Sequence, residues 1–120
     1  MNKEGNYDLE DRLIDFAVTI IDVVEELPTS RAANHIGGQL LRSGTSPAPN
    51  YGEAQGAESR KDFVHNMRVV LKELKESRAW LKIIKKKKYV KVDWLNQILQ
   101  ECEELIRIVA KSIVTASSSA

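Results

Sequence analysis

The chain has 120 residues, 42% hydrophobic and 29% charged, with a formal net charge of +1. That length bounds it to one domain, 1–120, with one modest core, and scarce aromatics beside abundant Ala, Leu, Ile, Lys and Glu favour helix over strand. The lone Cys102 excludes an internal disulfide and a cysteine-based metal cluster. No apolar run is long enough for a signal core or a membrane span, so a soluble cytoplasmic protein is expected.

A first helix is expected over about 8–27. Asp8 is a candidate N-cap with Asp11 three residues on. Leu9, Leu13, Phe16, Ala17, Ile20, Val24 and Leu27 form one stripe at helical spacing, and Pro28 stops the helix.

A second helix over about 30–57 is capped by Thr29 or Ser30 and buries Ala33, Ile36, Leu40 and Ser43. Gly37 and Gly38 each cost roughly 1 kcal/mol against alanine in a helix interior, and point to close approach of a neighbour. Breakers then crowd the stretch QLLRSGTSPAPNYGEA, Gln39 to Ala54. Pro47 and Pro49 donate no backbone hydrogen bond, so carbonyls near Ser43 and Thr45 lose partners. Thr45, Ser46 and Asn50 offer side-chain bonds in their place. Two outcomes are open, a kinked helix reaching about Ala57 or a helix that stops near Gly44 and restarts at Pro47. The kinked helix is expected.

The third helix, about 59–86, has the clearest period, with Phe63, Val64, Met67, Val70, Leu71, Leu74, Leu81 and Ile84 on its inner seam. Glu73, Glu76 and Trp80 form a second stripe beside it. Arg42 is expected to bridge to Glu73 or Glu76, with Trp80 as a covered anchor whose N–H is bonded. The fourth helix, about 92–115, takes Asp93 as candidate cap and buries Leu95, Ile98, Leu99, Cys102, Leu105, Ile106, Val109 and Ile113. A frayed tail over 116–120 is expected. No strand signal competes, and the pattern is that of an all-α chain of four helices with a proline-kinked second helix.

Charge is segregated along this pattern. Residues 1–59 carry net −6, residues 60–91 net +9 and residues 92–120 net −2. On the outer face of the third helix Lys61, Arg68, Lys75 and Lys82 recur every seven residues, with His65, Lys72 and Lys86 interleaved and only Ala79 interrupting. Such a row can track the phosphates of RNA or DNA. It can also pair with acidic helices of a neighbouring subunit or another protein, or be a solvated face. The run Lys85–Lys88 complements the helix C-terminus and is expected to be structural.

Catalytic constellations are missing. His35 and His65 follow Ala32 and Asp62 at three residues, so the Glu-x-x-His pairs of a di-iron bundle are absent. No Ser/His/Asp or Cys/His arrangement and no phosphate-cradling loop occurs. The expectation is a protein without catalytic residues, metal or cofactor.

Several motifs stand in a recognisable order: Gln39-Leu40-Leu41-Arg42-Ser43-Gly44-Thr45-Ser46, Asn50-Tyr51, Glu53-Ala54, Glu58-Ser59-Arg60-Lys61-Asp62-Phe63, Lys72-Glu73, Glu76 and Trp80-Leu81. In these the chain resembles the bacterial four helix bundle proteins related to the 23S rRNA intervening-sequence proteins. Pro49, Gly52 and Asn66 depart from the pattern. The resemblance implies an up-down four-helix bundle, homologues that form ring-like pentamers, and a link to nucleic acid. A related branch contains accessory proteins of diversity-generating retroelements, which act with a reverse transcriptase. Arg42, Ser46, Asn50, Glu53, Glu73, Glu76 and Trp80 carry the motif and are expected in packing or subunit contacts. The leading expectation is a homo-oligomer that engages nucleic acid. The rival is a protein–protein scaffold with no nucleic-acid role.

Overall fold

A computed structural model describes residues 8–118 as five helical segments: α1 Leu9–Glu26, α2 Arg31–Thr45, α3 Pro47–Gln55, α4 Arg60–Lys87 and α5 Val92–Ser118. Three starts follow one capping geometry. Asp8, Ser30 and Ser59 each stand in extended backbone, and each side-chain oxygen accepts the N–H three residues on, at 2.9 to 3.1 Å. Such a cap contributes about 1 kcal/mol. Asp93 does not cap α5. The Lys91 carbonyl accepts the Leu95 N–H at 3.2 Å, so the helix starts earlier and Asp93 falls in its first turn, where a carboxylate still favours the dipole. At the far end α5 continues through 116–118, part of the expected frayed tail; residues 119–120 lie outside the described residues.

The second helix bends rather than stops. Ser46 between α2 and α3 keeps right-handed dihedrals, φ −79° and ψ −27°. Backbone bonds from Ser46 to Arg42 and from Asn50 to Ser46, at 3.2 and 3.1 Å, bracket the two proline gaps. Thr45 Oγ1 donates to the Leu41 carbonyl at 2.7 Å and Asn50 Nδ2 to the Ser46 carbonyl at 3.0 Å. The Ser46 hydroxyl makes no such bond and its oxygen is buried without a partner. Nor does Ser46 cap the second arm, since an N-cap needs the extended backbone that Ser46 lacks. The second arm ends at Gln55, slightly before the expected Ala57.

α1 packs on α2, α3 and α5, while α4 packs on α2, α3 and α5, so α1 and α4 stand diagonally in the bundle. The body measures 49 × 31 × 19 Å, long because of α4 and two helices thick. The core joins Leu13, Phe16, Ile20 and Val23 of α1 to Leu40, Ala54, the α4 seam and seven α5 side chains. Val23 takes the buried place expected of Val24. Val24 sits at the α2 edge beside Gly37, which is buried where Ile36 was expected and Ile36 is half-buried. On α4 Phe63, Val64 and Leu71 are half-buried, and Leu99 of α5 likewise.

Candidate nucleic-acid interface

α4 is 28 residues long, about 42 Å at the α-helical rise. Three of its flanks are occupied. Leu74, Leu81 and Ile84 enter the core, Glu73 and Ser77 turn toward α2, and Arg78 donates to Glu103 of α5 at 3.0 Å. The outer face is left to the cations. Lys61, His65, Arg68, Lys72, Lys75, Lys82 and Lys86 are all exposed. A heptad on a straight helix regresses by about 20°, so the row drifts from Lys61 toward the α5 side and reaches the α4–α5 turn at Lys82 and Lys86.

Among the described residues no carboxylate forms an ion pair with this row. The ion pairs engage Arg12, Arg42 and Arg78 instead. Arg42 explains why Glu73 and Glu76 of α4 leave the row uncompensated. Its Nη1 donates to Glu73 Oε1 at 3.0 Å, and its Nη2 donates to Glu76 Oε2 and to Gln39 Oε1. Glu76 Oε2 also accepts Trp80 Nε1–H at 3.2 Å, and the Trp80 ring meets His35 edge-on at 6.1 Å. The expected bridge and anchor are therefore present, on the α2 side, where they lock the register of α2 on α4. Asn50 supports the bend, and Glu53 stands exposed on α3. The cations of the row thus gather in one band, and the motif residues lie apart from it.

Two further observations constrain chemistry. Cys102 is fully buried and its thiol donates to the Leu74 carbonyl at 3.4 Å. Burial pushes the thiol up to about 12, which removes it as a nucleophile near neutral pH. Among the described residues no group of His, Cys, Asp and Glu is placed to hold a metal ion, and no helix is long and apolar enough to cross a membrane.

One feature was not legible in the pattern. At the α4–α5 turn an open groove of about 1350 Å³ is lined by Lys82, Lys85, Lys86, Lys88 and Lys91, with Tyr89 and Trp94 among its apolar walls. Its only sequence signal is the Lys85–Lys88 run. The turn is a Schellman-type ending: the Lys88 N–H donates to the Lys85 carbonyl at 3.0 Å and the Tyr89 N–H to the Ile84 carbonyl at 3.3 Å.

The sequence pattern of the 23S rRNA-intervening sequence proteins matches residues 6–111. The chain belongs to that family. A crystal structure of a protein with unknown function from the S23 ribosomal protein family of Bacteroides thetaiotaomicron VPI-5482 aligns at a TM-score of 0.82 and 29% identity, covering 88% of this chain and 98% of that one. No curated protein matches the chain. The expected family, the all-α bundle and the bend at Ser46 are therefore established.

Proposed function

We propose that the protein is a non-enzymatic, cytoplasmic homo-oligomer that binds RNA or DNA along the outer face of α4. The observation that carries this is the row of six exposed Lys and Arg side chains with His65 among them, unpaired with any carboxylate among the described residues. From Lys61 to Lys86 it extends about 37 Å, enough to follow a run of phosphates. Self-association is supported by an apolar row on the outside of α1, where Ile14, Val18 and Ile21 are exposed. The family resemblance favours a pentamer.

The test is salt-dependent retention of RNA and DNA. Neutralising six phosphates corresponds to a slope of log K against log salt of up to about −5 on duplex and about −4 on single strands. Reversal of Lys61, Arg68, Lys75 and Lys82 to Glu should abolish binding at low salt. Absence of salt-dependent binding by the wild type would refute the reading. If the reversal changes native mass instead, the row serves subunit pairing.

A further inference from the structure

The groove at the α4–α5 turn differs in kind from the row that leads to it. The row offers charge alone. The groove brings five lysines around apolar walls that include Tyr89 and Trp94, against one carboxylate, Glu26. Lys82 and Lys86 belong to both, so the row runs into the groove without a break.

Lys88 reaches the groove through the geometry of the helix ending. It is the one non-glycine residue at positive φ among the described residues, φ 59° and ψ 35°, at a helix ending where glycine is usual. A side chain in the left-handed region carries a conformational cost. The Schellman ending sets that conformation, and it places the exposed Lys88 side chain on the groove.

We infer that this groove receives an unpaired base at the end of a single strand of nucleic acid, with the flanking phosphates on the lysines and the base against Tyr89 and Trp94. The inference rests on the nucleic-acid reading of α4 and adds strand selectivity to it. Phosphates suit ammonium groups, and a planar base suits an aromatic wall; base–aromatic stacking tolerates any sequence. A blunt duplex has phosphates for the row but no free base for the groove. A mononucleotide has a base but no chain to lie along α4.

The test titrates the full chain with internally fluorescein-labelled oligo(dT), with a blunt duplex of equal length, and with thymidine monophosphate. The wild type should bind oligo(dT) about tenfold more tightly than duplex and far more tightly than the mononucleotide. The groove variant Tyr89→Ala/Lys88→Gly should erase the preference for single strands. The row variant Lys61→Glu/Arg68→Glu/Lys72→Glu should weaken both polymers alike and keep their ratio. In a Trp80→Phe background, Trp94 emission should be quenched by oligo(dT) and not by duplex, a readout independent of whether Tyr89→Ala folds. Equal binding of strand and duplex by the wild type, equal weakening of both by the groove variant, or mononucleotide binding as tight as oligo(dT) would each overturn the inference while leaving the row reading intact. Binding of no nucleic acid at all would remove the row reading, and this inference with it.

Discussion

Ser77 and Ser43 meet hydroxyl to hydroxyl at 2.8 Å, both fully buried, where α4 crosses α2. Each hydroxyl has one proton to give. If Ser43 donates to Ser77, then Ser77 donates to the Glu73 carbonyl at 3.0 Å. If the direction reverses, Ser43 must use the Leu40 carbonyl at 3.4 Å. The first arrangement has the shorter bonds. The pair lies beside the Arg42–Glu73 bridge, so one short stretch of interface combines a buried polar pair with a half-covered ion pair.

This pair predicts a non-additive cycle. Ser77→Ala or Ser43→Ala alone weakens a buried bond and should cost about 1 kcal/mol. Ser43→Ala/Ser77→Ala removes both polar groups together and should cost no more than either single change. The coupling is read from urea midpoints at constant slope. Additive losses would show that the two hydroxyls do not act as a pair.

The glycines predict opposite signs. A Cβ on Gly44 would lie 2.7 Å from two carbons of Ile20, a fully buried core side chain that has nowhere to go. Gly44→Ala should therefore destabilise by about 1–3 kcal/mol. Gly38 and Gly52 have nothing within 4 Å of the same position. Gly38→Ala, in a helix interior, should stabilise by roughly 0.5–1 kcal/mol. Thermal melts of the two variants should move in opposite directions; a neutral Gly44→Ala would mean that α1 and α2 can separate at no cost.

These glycines also show where sequence reading ends. The exposed row of α4 was legible because exposure on a long helix follows its own period, and the Arg42 bridge because Glu73 and Glu76 share a face. Gly37 and Gly38 looked alike, yet a Cβ on Gly37 would lie 3.0 Å from Leu27 Cδ1 while one on Gly38 would face open space. That choice depends on the rotation of α2 against α1, which no local pattern carries. The same holds for Arg12, which pairs with Glu101 and Glu104 of α5, 89 and 92 residues away in the chain. Those bonds raise the Arg12 pKa further, the Glu101 bond foremost. The groove stayed hidden for a related reason. Glu26, Lys82 and Trp94 come together only when α1, α4 and α5 end side by side.

Cys102 predicts a pH dependence. Its folded-state pKa is raised by burial from 9.0 to about 12. The thiol is neutral in both states below the unfolded value. Between the two values the unfolded chain loses the proton first, so stability falls as pH rises above 9 and continues to fall toward 12. One pKa unit corresponds to about 1.4 kcal/mol. The measurement compares urea stability at pH values on either side of the unfolded thiol pKa for the wild type and Cys102→Ala. The variant starts lower because of its cavity but should show the shallower decline, the lysines being common to both. Parallel slopes would mean that the thiol ionises in the native bundle.

The outer face of α1 predicts the oligomer. Ile14, Val18 and Ile21 are 45%, 53% and 38% exposed, in one row opposite the core stripe of Leu13, Phe16, Ile20 and Val23. Scattered exposed aliphatics are ordinary, but a helical row of three on one face calls for a cover. If a second copy provides it, the native mass should be a multiple of the 13.5 kDa chain, five-fold on the proposed assembly. Val18→Glu places a charge at the centre of that row and leaves the core stripe untouched. It should reduce the native mass in light scattering to that of a single chain, with the helical circular dichroism unchanged. An unaltered oligomer in Val18→Glu would place the subunit contact elsewhere, and a wild type that is already monomeric would end the proposal of self-association.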